Sequence, residues 1–253
     1  MSNRQQLEQA IAVQESLRGV IDDAIIDATI AALRAQLAVT EPPPPAVSES
    51  RRAQATILFV DLAGHTELIQ GWDAEEIMEI IDRALERLAE PINRHGGRIV
   101  RYQGDGFKAV FGLPVAQEHD PDHAVLAGLD ILATAATIAA ELEAERGLTG
   151  FQARIGIDTG PVVAGVIGKR KFIYDVWGDT VNTASRMESH AEPGTIQVTE
   201  AVQRLLVHRY ELSPRGELEV KGKGQMRTWV LLGPRPDAEG QRVAKTQVPW
   251  NLA

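Results

Sequence analysis

Apolar positions recur at helical spacing through the first forty residues, where Ile26, Ile30, Leu33 and Leu37 fall at i, i+4, i+7 and i+11. Gly19 divides this region into two helices, the first carrying Leu7, Ile11 and Leu17. One apolar stripe on a short helix cannot bury itself, so residues 1–39 need a surface to pack against. Pro42-Pro-Pro-Pro45 then excludes a helix and predicts an extended, semi-rigid linker over residues 40–53. From residue 54 the pattern alternates between strand and helix periods. Residues 55–60 are a short apolar run that predicts a buried strand ending at Asp61. Asp73-Ala-Glu-Glu76 reads as a capping box. It opens a helix to Asn93 with Ile77, Ile80, Ile81, Leu85 and Leu88 facing inward, ended by His95-Gly-Gly97.

Residues 98–102 and 107–111 predict a hairpin turning through Gln103-Gly-Asp-Gly106. A second long helix is expected over 120–146, followed by a strand pair, 153–157 and 162–167, that turns at Thr159-Gly-Pro161. The order β-α-β-β-α-β is that of an α+β, ferredoxin-like core. Another helix and further short strands extend this block to residue 233, and the polar residues 234–253 predict a loose tail.

Composition narrows the classes available. The 253 residues allow one large domain and an appendage, and 44% hydrophobic with 24% charged residues is the mix of a soluble globule. No apolar run approaches the ~20 residues of a membrane span, and the polar start has no signal-peptide pattern. With no cysteine, disulfides, thiolate metal sites and cysteine nucleophiles are excluded, and a cytoplasmic location is expected. A net charge of −9 argues against nucleic-acid binding, which needs a basic surface. An anionic nucleotide would need a local cluster of Arg and Lys, and neighbouring carboxylates would need a cation.

The run Tyr174-Asp-Val-Trp-Gly-Asp-Thr-Val-Asn-Thr-Ala-Ser-Arg-Met187 holds the densest chemistry. Asn182 and Arg186 lie one helical turn apart and leave the same face, with Asp175 on the extended stretch feeding that helix. A carboxylate, an amide and a guanidinium in this order suit a site that reads a base edge and stabilises a charged phosphoryl group. Asp61 at a strand end and Asp105 at a hairpin tip would project to one end of the sheet. Without His or Cys companions, such a pair suits Mg²⁺ or Mn²⁺ rather than Zn²⁺. Taken alone, Asp105 between two glycines is equally a turn residue.

Five segments carry a resemblance: Leu58-Phe-Val-Asp-Leu-Ala-Gly-His-Thr66, Gln103-Gly-Asp-Gly-Phe-Lys-Ala-Val-Phe-Gly112, Arg154-Ile-Gly-Ile-Asp-Thr-Gly160, the run ending at Met187, and Val220-Lys-Gly-Lys-Gly224. In this order and spacing they resemble the catalytic domain of class III nucleotidyl cyclases over roughly residues 54–232. The resemblance implies attack of the 3′-hydroxyl of a nucleoside triphosphate on its own α-phosphorus, with two divalent cations, Mg²⁺ or Mn²⁺. It assigns both ions to Asp61 and Asp105 with the backbone of Leu62, and phosphate contacts to the backbone of Ala63, Gly64, His65 and Thr66. Arg186 would stabilise the α-phosphate and Asn182 orient the ribose. Arg154 and Lys221, with Lys223 as a lesser candidate, would grip phosphates. A structural ion pair for Arg154, and a merely charged hairpin for the two lysines, remain open.

The family's shared sites imply a homodimer, because this chain carries both halves of the set. Asp61, Leu62, Asp105 and Arg154 of one protomer would face Arg101, Asp175, Asn182, Arg186 and Lys221 of its partner. Residues 1–39 would assist dimerisation, couple to a regulatory partner, or pack on their own protomer. His65 stands where the family commonly has Phe. Arg101 stands where adenylyl cyclases usually carry Lys and guanylyl cyclases Glu. Arg still donates to adenine N1, and Asp175 accepts from its 6-amino group, so ATP is the expected substrate and cyclic AMP the product. Guanylyl or mixed specificity, or a weakly catalytic regulatory domain, are the alternatives.

Overall fold

A computed structural model describes residues 26, 29–30, 51–63, 73–167, 173–220 and 224–236. The chain divides into two units, Met1–Glu49 and Ser50–Ala253. In the first, residues 26, 29 and 30 are helical, and Ile26 and Ile30 are buried. The rest of the expected N-terminal helices, the tetraproline run, and the tail beyond residue 236 lie outside the described residues.

The second unit is built in the order β1 (Arg51–Ala63), α1 (Ala74–Arg94), β2 (Arg98–Gln103), β3 (Gly106–Phe111), α2 (Asp120–Arg146), β4 (Gln152–Ile167), β5 (Ile173–Trp177), α3 (Asp179–Ser189), β6 (Ile196–Thr199), α4 (Glu200–Leu206), β7 (Tyr210–Val220) and β8 (Gly224–Pro234). Its first six elements realise the βαββαβ order, and the sheet runs β2-β3-β1-β4-β6-β8-β7 with β5 also paired to β4. β1 begins at Arg51, so the strand takes the last three residues of the expected linker.

Alternation along β1 sends its side chains to two cores. Leu58, Val60 and Leu62 join the core under α1 and α2, whereas Ala55, Ile57 and Phe59 join a second cluster with Val181 and Ala184 of α3. Asp61 continues the second parity, which turns its carboxylate toward the face carrying α3. Asp73 caps α1 by accepting from the Glu75 amide at 2.8 Å, one position earlier than a capping box would place it. Contrary to the sequence expectation, α2 is by length and composition apolar enough to cross a membrane, its apolar stretch being broken only by Asp130. Here Ala124, Val125, Ala127, Ile131, Ala135 and Ile138 bury its inward side in the core.

The strand pair expected at 153–167 is instead one continuous strand, β4. Gly160 and Pro161 do not turn the chain, because both pair with β1, opposite Ala55 and Gln54. On its other side β4 pairs with β6 only at 155–157 and with β5 only at 163–167. Pro161 falls between these two pairings, where a missing N–H costs no ladder bond on that side.

Candidate active site

Asp61 pairs with Gly106 of β3 on one side and Arg154 of β4 on the other. Gly106 permits this close approach, since a Cβ there would meet the Val60 carbonyl oxygen at 2.2 Å. The preceding turn has Gly104 at φ +60° and no non-glycine residue at positive φ, the sign pattern of a tight II′-type hairpin. Asp105 is therefore held at the hairpin tip beside Asp61. The two carboxylates interact: burial, followed by the negative charge of Asp105, pushes the Asp61 carboxyl above its ordinary range, with Arg154 opposing.

A second carboxylate that opposes the ionisation of Asp61 makes a hard-oxygen donor set that a divalent cation relieves. Among the described residues no three His, Cys, Asp or Glu side chains converge for an ion. The pair would thus leave remaining positions to backbone, water and phosphate oxygens, the sharing Mg²⁺ favours. The Leu62 side chain is buried in the core, so only its backbone is available to such a group. β3 ends its pairing with β1 at Asp61, which leaves that edge of β1 without a described partner strand at Leu62.

Arg154 is already engaged. Its Nε donates to Asp61 Oδ2 at 3.0 Å, and Nη2 makes a second bond to the same oxygen. Nε also lies 2.8 Å from Glu188 Oε1. Because its N–H is aimed at Asp61, Glu188 Oε1 is left buried without a hydrogen bond. Burial, then the nearby Asp61 charge, raises the Glu188 carboxyl above its ordinary range. The arrangement for Arg154 is the ion pair, made across neighbouring strands. Glu188 was not singled out in the sequence; its signal was the position two residues beyond Arg186 on a half-buried helix.

α3 starts after Gly178, whose φ of +133° suits glycine. Its buried side, Thr180, Val181, Thr183, Ala184, Met187 and Glu188, lies on the sheet. Contact with β4 is backbone to backbone, since a Cβ on Gly156 would meet the Glu188 amide nitrogen at 2.0 Å and the Ala184 carbonyl oxygen at 2.4 Å. Asn182 is exposed and Arg186 half-buried, both on the outward side. At ~100° per residue, Arg186 leaves the helix about 200° away from Glu188. The Asn182–Arg186 face therefore points away from the Asp61 cluster of its own chain.

Asp175 and Arg101 are brought together as expected, with Arg101 Nη2 at 2.8 Å from Asp175 Oδ2. The sequence reading missed a third member, Lys108, whose Nζ is 2.5 Å from Asp175 Oδ1. Gly64, His65, Thr66, Lys221 and Lys223 lie outside the described residues. Ala63 ends β1 in a buried position.

The family model for the adenylate and guanylate cyclase catalytic domain matches residues 47–233. An adenylate cyclase of Mycobacterium tuberculosis is 40% identical over 186 residues, 74% of this chain and 41% of that protein, so the chain spans about two fifths of that relative's length. A membrane guanylyl cyclase of Dictyostelium discoideum is 34% identical over 177 residues, 70% of this chain and 11% of that protein. Among solved structures, an adenylyl cyclase from P. aeruginosa matches with a TM-score of 0.71 at 27% identity, covering 75% of this chain and 98% of that one.

Proposed function

The chain belongs to the adenylate and guanylate cyclase catalytic domain family, and from that premise we propose that it converts ATP to 3′,5′-cyclic AMP and pyrophosphate at sites shared between two copies. The observation that carries this reading is the pairing of Asp61 with Asp105 at one end of the central strands. Together with the Leu62 backbone they would hold two divalent cations, Mg²⁺ or Mn²⁺, which when bound supply Lewis acidity toward the 3′-hydroxyl and the triphosphate. Arg154, fixed beside Asp61, can turn a guanidinium N–H toward a phosphate oxygen once Asp61 is neutralised by an ion. Glu188 would retain it there.

Asn182 and Arg186 supply the amide and guanidinium suited to the ribose and the α-phosphate, and both face away from their own Asp61. Two copies related by a two-fold axis resolve this, each offering its α3 face to the carboxylates of the other. Arg101 and Asp175 supply a donor and an acceptor for the N1 and 6-amino group of adenine.

Guanylyl or mixed activity is the second reading, favoured by the Dictyostelium guanylyl cyclase relative and by Arg101 at the base-reading position. Incubation of purified protein with ATP or GTP and Mn²⁺, with the product identified by mass, decides between them. Cyclic AMP as the main product supports the first reading. Faster cyclisation of GTP overturns the choice of base, and no cyclic product from either overturns the assigned reaction.

A further inference from the structure

Among the described residues, Lys108 is the only buried lysine or arginine. It lies in β3, all of whose side chains are buried, directly opposite Arg101 of β2. Taking an ammonium out of water is costly unless a partner anion meets it in good geometry. That partner is Asp175, itself 2% exposed. The carboxylate is divided between its neighbours. Oδ1 accepts from Lys108 Nζ at 2.5 Å and from the Val176 amide at 2.8 Å. Oδ2 faces Arg101 Nη2 at 2.8 Å. Lys108 also reaches the Val176 carbonyl oxygen at 3.4 Å, which ties it to the β5 backbone.

An arginine beside a carboxylate tends to close on it with two parallel N–H···O bonds. Here Oδ1 is already committed inward, and Arg101 makes its ion-pair contact at Oδ2. We propose that Lys108 is a positioning residue for base recognition: by occupying Oδ1 it keeps Arg101 on a single oxygen, so that Oδ2 and the guanidinium stand side by side as an acceptor and a donor for a purine edge. This rests on the reading of the site as a nucleotide pocket and adds how its selectivity is set. Adenine offers a 6-amino donor next to the N1 acceptor. Guanine offers the O6 acceptor next to the N1 donor, the same functions in reverse order. Only a pair whose order and spacing are held fixed separates the two. Arg101, with 42% of its side chain exposed, is the member a ligand meets, and Lys108, at 6%, is the brace behind it.

The test uses Lys108→Met, of similar length and volume, with competition of ATP and GTP against a fluorescent ATP analogue, turnover with each, and a melting curve. Released from Lys108, Oδ1 becomes open to Arg101, which closes on the carboxylate and withdraws both functions. The ATP:GTP ratio in binding and in kcat/KM is expected to fall at least tenfold, mainly through the ATP KM. In an Asp175→Asn background the same change should alter the ratio less than twofold, because Lys108 acts through Asp175. Lys108→Gln, shorter and uncharged but still a donor, should give an intermediate ratio, and carries the test if the Met variant does not fold. A folded Met or Gln variant with the wild-type ratio overturns the inference, as does wild-type protein that binds ATP and GTP equally. If wild type cyclises neither nucleotide but its binding preference still shifts with Lys108, the reaction assigned above falls and the inference stands.

Discussion

Asp105 sits on a two-residue turn, where a shorter side chain leaves the backbone undisturbed. Asp105→Ala is expected to lower turnover at least ~100-fold, as removal of a charge-stabilising group at a phosphoryl-transfer site does. Circular dichroism and melting temperature should stay near wild type, and near-normal turnover with Mg²⁺ or Mn²⁺ would remove the metal assignment. The positions of Asp61, Asp105 and Asp175 in the fold were legible in the sequence because each stands beside a local signal: a strand end, a glycine turn, and an extended stretch that feeds a helix. Lys108 was not, since a lone lysine in Gly106-Phe-Lys-Ala-Val-Phe111 reads as the polar position of an alternating strand. Hairpin arithmetic held the missing clue. With Gly104-Asp105 as the turn, residues 103 and 106, then 102 and 107, then 101 and 108 must pair. That register puts a second cation beside Arg101.

At the level of elements, the helix and hairpin periods predicted α1, α2, β2 and β3 to within a residue or two, because each ends on a glycine or a cap. β4 was misread because Gly-Pro is a local turn signal, and only tertiary pairing with β1 keeps the chain extended there. The same strand anchors α3 through Gly156. Gly156→Ala would drive a methyl group into the α3 backbone, which cannot yield as a flexible side chain would. Overpacking of this kind costs about 1–3 kcal/mol, and the upper end is expected here. Urea unfolding should show that loss. Turnover should fall as well, since α3 carries Asn182 and Arg186. A variant with unchanged stability would contradict the backbone contact.

For the whole molecule, the acid cluster links stability to pH and is expected to link it to cations. Asp61 and Glu188 titrate above their ordinary 3.8 and 4.5 when folded, so the native state keeps protons that the unfolded chain has released. Their contribution is therefore greatest at low pH and is lost as pH rises from about 4 through their raised values. A cation on Asp61 and Asp105 favours the ionised carboxylates, so its stabilisation should grow over the same window. At tenfold the dissociation constant, Mn²⁺ contributes about 1.4 kcal/mol, a rise of roughly 3–5 °C in melting temperature at pH 8 and less at pH 5. Equal shifts at both pH values would contradict the assignment. The central claim, a site that needs two copies, is tested most directly by mixing two inactive variants, Asp61→Ala and Arg186→Ala. Each alone should be inactive, whereas a mixed dimer has one site with both defects and one intact. Random pairing then restores about a quarter of wild-type activity if the sites act independently. No recovery after verified subunit exchange would show that each chain completes its own site.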